Sequence, residues 1–199
     1  MGDELRRALA APRESMLAAI VVRLGNSKHA RPRVGSLTFA HGLVGDRWSA
    51  FQPSLERQLT VMDVRVVRFL LAERARIAGA QGTLIAHEEL DLPGDNLVVD
   101  FPTGTSVMPA GTRVRIGTSV VEITELPHMG CKKFEARFGS NALAWVNDRT
   151  HYDLRLRGLN AMVVEEGEVR LGDPVEVVAA ASTAEGDTGR EALGVSRSG

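Results

Sequence analysis

Short β-forming segments separated by tight turns dominate the second half of the chain, and this pattern limits the fold more than any other feature. Alternation of apolar Val121 and Ile123 with Glu122 and Thr124 is typical of a half-buried strand. Strands so close in sequence hide their edges best in a small closed or half-closed barrel. We therefore predict a mainly β fold with a few helices (α+β). The predicted strands are residues 112–116, 119–125, 160–165, 168–171 and 175–178.

Two earlier apolar segments extend the β-rich pattern, and three predicted helices interrupt it. Residues 16–23 and 58–62 are predicted to be strands. Asp63 is a typical N-cap residue, and apolar side chains at helical spacing predict a helix over residues 64–78. A shorter helix is predicted over residues 131–138, ending at Gly139, and Ser140 is expected to cap one that runs to residue 148.

The ends of the chain differ in composition from its centre, which predicts one folded domain over residues 15–178. Residues 1–14 are charged and poor in apolar side chains, so we expect a weak helix or a flexible arm. Residues 179–199 are small, polar and glycine-containing, which favours a disordered tail. A hydrophobic share of 44% in 199 residues is sufficient for one core.

Charge and cysteine usage narrow the classes of partner. A formal net charge of −1 argues against nucleic acid and membrane surfaces, because both need a strong basic excess. The longest apolar run, residues 16–22, is too short to cross a bilayer. Cys131 is the only cysteine, and no secretory signal opens the sequence. We therefore expect a cytoplasmic protein with a reduced thiol.

Cys131 lies in a turn that is rich in positive charge. The turn follows a predicted strand and opens a predicted helix, where backbone N–H groups favour an anion. Lys132, Lys133 and Arg137 add full positive charges, and both effects lower the pKa of a thiol. His128, three residues earlier, is suited to accept or return a proton. The segment therefore predicts a reactive thiolate beside an acid–base group.

A structural role for the same cysteine is the competing interpretation. Cys131 shares a helical stripe with Phe134 and Phe138, and unpaired cysteines are often small core residues. Lys132 and Lys133, taken separately, are typical of a solvated helix face. Exposure of the sulfur distinguishes the two interpretations.

Three other loops carry polar side chains that suit ligand binding. Arg47 follows Asp46 in a loop bordered by glycines, and Asn96 lies in a second turn. Arg155 and Arg157 precede a predicted strand, and the forked donors of arginine suit phosphate or carboxylate groups. Each loop also has an ordinary structural explanation.

Familiar catalytic signatures are absent from the sequence. It contains no Gly-x-Gly-x-x-Gly, no phosphate-binding P-loop and no nucleophile elbow. The five histidines show no zinc-ligand spacing beyond His128-x-x-Cys131. A Cys–His hydrolase remains open, because catalytic partners can lie far apart in sequence.

Taken in order, six segments resemble those of the MOSC domain, which is named for the C-terminal region of molybdenum cofactor sulfurases. The resemblance covers the whole predicted domain, residues 15–178. The segments are Gly42-Leu43-Val44-Gly45-Asp46-Arg47, Gln58-Leu59-Thr60-Val61-Met62, Pro93-Gly94-Asp95-Asn96-Leu97, the Cys131 turn with Arg137-Phe138-Gly139, Leu156-Arg157-Gly158, and Gly167-Glu168-Val169-Arg170-Leu171-Gly172-Asp173.

This resemblance implies a β-barrel-like domain that binds a molybdenum-bound pterin (molybdopterin), an anionic cofactor, with Cys131 as sulfur carrier or metal ligand. The pyridoxal-dependent domain of the large sulfurases is absent, so no pyridoxal phosphate is expected and any sulfur or electrons would come from a separate donor protein. The implied contacts to the pterin ring or phosphate are Arg47, Asn96, Lys132, Lys133, Arg137 and Arg157.

Two positions depart from the family pattern. Many members have proline immediately before the cysteine, where this chain has Gly130, and the usual Gly-Glu-Asn is here Gly94-Asp95-Asn96. The turn therefore resembles a subgroup variant, and the resemblance does not identify a substrate.

Three functions are consistent with these residues. The first is a molybdenum enzyme that reduces a small N-oxygenated substrate with an external electron donor and with Cys131 on the metal. The second is a non-catalytic module that binds the cofactor or carries sulfur as a Cys131 persulfide. The third is a metal-free hydrolase or transferase that uses Cys131 and His128. A purely structural domain is the remaining alternative.

Overall fold

Strands make up most of the fold. The computed structural model describes Leu5, Arg7, Leu9, Ala11 and residues 13–51, 54–79 and 89–180. The strands are β1 (Leu17–Ile20), β2 (Val22–Gly25), β3 (Lys28–Ala30), β4 (Val34–Thr38), β5 (Gly42–Leu43), β6 (Leu59–Asp63), β7 (Leu97–Val99), β8 (Arg113–Ile116), β9 (Ser119–Pro127), β10 (Leu159–Glu165), β11 (Gly167–Arg170) and β12 (Val175–Ala179). The helices are α1 (Trp48–Phe51), α2 (Val64–Ile77), α3 (Lys132–Phe138) and α4 (Ser140–Val146), with 3₁₀ turns at Leu55–Arg57 and Arg149–Leu154.

Seven strands form one curled sheet in the order β1-β7-β6-β10-β9-β8-β12. Strands β6 and β7 pair in parallel, and the other neighbours pair antiparallel. The two outer strands meet where Met16 pairs with Pro174, and the backbone N–H of Leu17 donates to the carbonyl of Asp173 at 2.9 Å. The sheet is therefore a half-closed barrel. The predicted mainly β fold with a small barrel is confirmed.

Two smaller sheets complete the strand architecture. One contains β11, β4 and β5 in that order, and the other is the β2–β3 hairpin. Asn26 and Ser27 form the turn of this hairpin with φ values of 46° and 60°, the left-handed conformation that two-residue hairpin turns require. The hairpin brings Lys28 and His29 into one pocket with Cys131.

Most predicted elements agree with the structure. The five segments predicted between residues 112 and 178, and the segment at 58–62, are strands whose ends differ by one or two residues. Helix α2 begins after Asp63, whose carboxylate accepts a hydrogen bond from the N–H of Arg65 at 2.9 Å, so the predicted cap is confirmed. Helix α3 ends before Gly139, which has a φ of 87°.

Two local predictions are wrong. Residues 16–23 form two strands rather than one, because the N–H of Val21 donates to the carbonyl of Asn96 at 2.8 Å. After Val21 the chain pairs with β3 instead of continuing along β7. Ser140 is the first residue of α4 rather than its cap, because Gly139 holds the N-cap position.

Apolar side chains form two clusters on opposite faces of the large sheet. Val61 and Ile123 belong to the cluster inside the barrel. Met62, Val67 and Phe134 belong to the cluster between the sheet and the helices. Strand β6 contributes to both clusters, because successive strand side chains point to opposite faces. Phe134 anchors α3 in this second cluster, which we call the outer cluster, and so holds the helix against the sheet.

The structure describes only some residues at each end of the chain, so the predicted domain boundaries are not tested. Within residues 1–14, Leu5 is buried against the outer cluster, and Arg13 forms an ion pair with Asp63 at 2.9 Å. The flexible arm and the boundaries at 15 and 178 stay predictions. Beyond Ala180, the predicted tail lies outside the described residues. In the described part of the chain, no helix is long and apolar enough to span a bilayer.

Candidate functional site

Cys131 is the N-cap residue of α3, and its side chain is exposed to solvent. Phe134 on the same helix is buried. Burial alone would raise the pKa of the Cys131 thiol, but the backbone N–H groups of Phe134 and Lys133 and the charges of Arg157 and Lys133 lower it below its ordinary value. The interpretation of Cys131 as a core residue is therefore wrong, since the residue is exposed, and the lowered pKa makes its thiolate more available than that of an ordinary cysteine.

Gly130 is clamped by Asn147, the residue just after α4. The N–H of Gly130 donates to Oδ1 of Asn147 at 2.8 Å, and Nδ2 of Asn147 donates to the Gly130 carbonyl at 3.2 Å. A Cβ atom at Gly130 would lie 2.7 Å from Cδ1 of Leu143. A proline here would lack the donated N–H and would collide with α4. This clamp gives a physical reason for glycine at the position before Cys131.

Two adjoining pockets open beside the sulfur, and we call them the narrow pocket (about 120 Å³) and the wide pocket (about 520 Å³). Arg23, Arg47, His128 and Cys131 line both. In the described residues neither lining contains an aspartate or glutamate. The cleft as a whole therefore favours an anionic ligand. The narrow pocket is further lined by Gly25, Ser27, Lys28, His29, Pro93, Gly94, Lys133, Phe134, Arg137 and Arg157.

A buried ion pair forms the floor beneath His128. Asp95 is 0% exposed, and its Oδ2 accepts a hydrogen bond from Nη1 of Arg157 at 2.6 Å. Its Oδ1 lies 2.9 Å from Nε2 of His128. Burial would raise the pKa of Asp95, but Arg157 and His128 hold it well below its ordinary range. Asp95 is therefore ionised and can only accept, so Nε2 of His128 carries the donated proton.

Burial and the charge of Arg157 lower the pKa of His128, although Asp95 opposes them. The imidazole is therefore neutral near pH 7. With Nε2 donating to Asp95, Nδ1 is the ring nitrogen that can accept a proton. In the described part of the chain no hydrogen bond joins His128 to Cys131, so the predicted pair shares a cleft without forming a dyad.

Arg137 is fixed at the wall of the narrow pocket by backbone carbonyls. Its Nη1 donates to Leu92 at 2.8 Å and to Pro93 at 3.1 Å, and its Nη2 lies 3.4 Å from Nε2 of His29. Gly94 has a φ of 84°, and a Cβ atom there would lie 2.7 Å from Arg137. A side chain at Gly94 would therefore push the guanidinium out of place.

Asn96 supports the cleft from beneath and lines neither pocket. Its Nδ2 donates to Oδ2 of Asp46 at 2.9 Å, and Asp46 binds the guanidinium of Arg23 through both oxygens. Burial would raise the pKa of Asp46, but Arg23 and the N–H of Trp48 lower it. Asp46 is thus a charged partner that neutralises Arg23 and orients it toward the cleft.

The two adjacent lysines of α3 face different surroundings. Lys133 lines the narrow pocket, whereas the Lys132 side chain is 92% exposed and binds Glu135 at 2.8 Å. Neighbouring helical residues are about 100° apart around the axis, so one turn cannot direct both into the cleft. Of the predicted contacts, the structure groups Arg47, Lys133, Arg137 and Arg157 around Cys131, and it separates Lys132 and Asn96 from them.

Several residues that line or support the cleft were not predicted from the sequence. Lys28 and His29 reach it from a hairpin too short to show apolar alternation, although the polar pair Asn26-Ser27 is a turn signal. Asp95 stood beside the predicted Asn96 without a role. Arg23 and Asn147 had no local signal, because each acts through a residue distant in sequence.

The family model of the MOSC domain matches residues 67–176, more than half of the chain. A search of curated proteins finds no relative. The matched span includes Cys131, α3 and most of the large sheet.

Solved structures share the fold at low sequence identity. A crystal structure of a protein described only as hypothetical has a TM-score of 0.57 at 21% identity, covering 83% of this chain and 69% of that one. YiiM from Escherichia coli has a TM-score of 0.54 at 22% identity, covering 84% and 71%. YiiM from Geobacillus stearothermophilus has a TM-score of 0.51 at 14% identity, covering 82% and 75%. These likenesses bear on the fold alone.

Proposed function

Because the chain belongs to the MOSC domain family, we propose that its cleft binds a molybdenum-bound pterin with Cys131 as metal ligand. We further propose that the protein reduces a small N-oxygenated substrate with electrons from a separate donor protein. The family is associated with molybdenum cofactor binding. The observation that carries the proposal is the exposed, thiolate-favouring Cys131 at the junction of two cationic pockets.

The residues present fit such an anionic cofactor. Nε of Arg157 is a buried donor without a partner in the described structure, and Arg157 lines the narrow pocket. Lys28 and Lys133 line the same pocket, and neither ammonium group forms an ion pair within the described residues. A phosphate group would supply the acceptors that these donors lack.

Among the residues that the structure describes, Cys131 is the candidate ligand for a metal ion. In the described ranges, no three His, Cys, Asp or Glu side chains converge to hold a metal ion. Molybdenum here would therefore depend on Cys131 together with sulfur atoms of the pterin, since thiolates suit soft metal centres. When bound, the cofactor would supply two electrons for removing oxygen from the substrate.

The protein's own residues would then position the reactants and move protons. Reduction of an N–OH group to N–H releases the oxygen as water and consumes two protons and two electrons. Nδ1 of His128 would take a proton from water and pass it to the departing oxygen, because Nε2 already donates to Asp95. Arg157 and Arg137 would hold the cofactor phosphate, and Arg47, which lines both pockets, would lie between cofactor and substrate.

Molybdenum analysis of protein from a host that makes the cofactor tests this proposal. We expect about one molybdenum per chain in the wild type, a large loss of metal and of N-reductase activity in Cys131→Ser, and full retention in Lys132→Gln. Lys132 is the matched control because it lies next to the cysteine but outside the cleft. Molybdenum that is absent from wild type, or unaffected by Cys131→Ser, would overturn the proposal.

The exposure of Cys131 also favours the second candidate, a sulfur carrier. A persulfide needs an accessible thiolate and an anion-stabilising environment, and Cys131 has both. A sulfane-sulfur adduct on Cys131 in metal-free protein would support this function. The third candidate, a Cys–His hydrolase, receives less support, because His128 is bonded to Asp95 rather than to the thiol.

A further inference from the structure

We propose that the wide pocket is a substrate site selective for a small, flat organic acid and against organic cations. This inference rests on the proposed function in taking Cys131 as the reacting end of the pocket. A volume of about 520 Å³ lies within the range of small-molecule sites. The proposed selectivity would limit the N-oxygenated substrates of this protein to neutral or acidic compounds.

The charges that line the wide pocket favour an acidic ligand. Arg23, Arg47 and Arg57 line it, and Arg23 is already neutralised by the two oxygens of Asp46. The guanidinium groups of Arg47 and Arg57 form no ion pair within the described part of the chain. A carboxylate would satisfy these donors in the forked geometry that arginine favours.

The apolar side chains of the wide pocket favour a ligand with a flat apolar body. Phe51 is 77% exposed and Met129 is 46% exposed, while Trp48 and Pro127 form further apolar surface of the same pocket. Large apolar side chains left open beside unpaired arginines are best covered by a ligand that has a flat apolar body and an acidic group. A purely inorganic anion would leave Phe51 and Met129 uncovered.

A buried amide in the wide pocket favours a ligand that donates a hydrogen bond. Asn160 is buried and lines the pocket, and its Nδ2 donates to the carbonyl of Leu126 at 2.9 Å. Its Oδ1 accepts no hydrogen bond from any described residue. This oxygen suits the N–H or O–H of an N-hydroxylated group, and so would direct the reducible end of the ligand inward, on the same lining as His128 and Cys131.

Organic cations are disfavoured by the same arrangement. An amidinium or guanidinium group in this pocket would face Arg47 and Arg57 with no described carboxylate in the lining to offset the repulsion. Selection against positive charge is therefore a property of the whole lining rather than of one contact.

Three probes of nearly equal shape test the inference: benzoate, benzamide and benzamidine, which are negative, neutral and positive near pH 7. Isothermal titration calorimetry with protein purified from a cofactor-producing host should show benzoate binding about tenfold tighter than benzamidine, with benzamide between them. Arg57→Gln should weaken benzoate about tenfold and leave benzamide unchanged. Arg68→Gln is the matched control, because Arg68 is an exposed arginine on α2 that lines neither pocket.

Lys133→Gln separates the two pockets, since Lys133 lines only the narrow one. Loss of benzoate binding in Lys133→Gln rather than in Arg57→Gln would overturn the inference. Equal binding of the three probes, binding of none, or a preference for benzamidine would also overturn it. Molybdenum content of the same preparations reports separately on the proposed function: metal-free protein with the benzoate preference contradicts only that function, and metal-loaded protein without the preference contradicts only this inference.

Discussion

The two pockets beside Cys131 are built in opposite ways. Two arginines of the narrow pocket are held in place by other residues: Arg157 pairs with the buried Asp95, and Arg137 donates to the carbonyls of Leu92 and Pro93. The wide pocket includes side chains that project into solvent, such as Phe51. The difference indicates a rigid region suited to one unchanging ligand and an adaptable region suited to a substrate. Substitutions that break the fixed contacts of Arg157 should therefore affect folding, whereas substitutions of exposed residues that line only the wide pocket should affect binding alone.

The largest effect is expected for Asp95→Asn. This change leaves Arg157 charged and buried without its partner, which should lower the free energy of unfolding by about 3–5 kcal/mol. Glu168→Gln is the control, because Glu168 pairs with Arg170 at 2.7 Å with both side chains exposed, and it should cost about 0–1 kcal/mol. Urea denaturation measures both. Equal losses would show that the narrow pocket gains no special rigidity from its buried pair.

Asn147→Ala should have the next largest effect. It removes both hydrogen bonds to Gly130 and should cost about 1–3 kcal/mol of unfolding free energy. It should also slow alkylation of Cys131 near pH 7, because the clamp orients the cysteine at the start of α3. Asn141→Ala, an exposed position on α4, is the control. If the two variants alkylate at the same rate, Asn147 does not position the cysteine.

Stability should fall as the pH is lowered from about 7 to about 5. Burial lowers the pKa values of His29 and His128 in the folded protein. In this window the unfolded chain binds protons that the folded chain does not, so acidification favours unfolding. The double variant His29→Gln/His128→Gln should show a flatter dependence in urea titrations across this range. A wild-type stability that rises on acidification would contradict the neutral state of both imidazoles.

A smaller effect should separate the adjacent lysines of α3. Lys133→Gln should raise the pKa of the Cys131 thiol, because Lys133 stabilises the thiolate. Lys132→Gln should leave the thiol unchanged, because that side chain is turned outward to Glu135. The pH dependence of alkylation by iodoacetamide measures the thiol in both variants. The same shift in both would mean that the charge of the segment matters and its orientation does not.

The smallest effect on folding is expected in the wide pocket. Phe51→Ala removes an exposed ring and should change the free energy of unfolding by less than about 0.5 kcal/mol. Calorimetry should nevertheless show weaker binding of benzoate to this variant. A large loss of stability would mean that Phe51 belongs to the core, and the contrast between the pockets would fail.

Local chemistry explains which features the sequence could predict. The cap at Asp63, the glycine after α3 and the strands after residue 112 depend on neighbouring residues, and all three were predicted. The break at Val21 depends on Asn96, which lies far along the chain, so no local pattern indicates it. The positive charge of the segment around Cys131 could be predicted from the sequence. Which of Lys132 and Lys133 faces the cleft could not, because that depends on how α3 packs.

The same distinction applies to the candidate site. Arg47, Arg137 and Arg157 were implied by resemblance and line the cleft. Asn96 was implied in the same way, but it lies beneath the cleft, where it supports Asp46. A resemblance locates the loops of a site, whereas packing determines which side chain of each loop reaches the ligand.

X-ray absorption at the molybdenum K-edge tests the central claim most directly, because it counts the sulfur atoms bound to the metal. Wild-type protein from a cofactor-producing host should show one more sulfur ligand than Cys131→Ser, in whatever fraction of that variant keeps molybdenum. Identical sulfur counts in the two proteins, or wild-type protein without molybdenum, would contradict the assignment of Cys131 as a metal ligand.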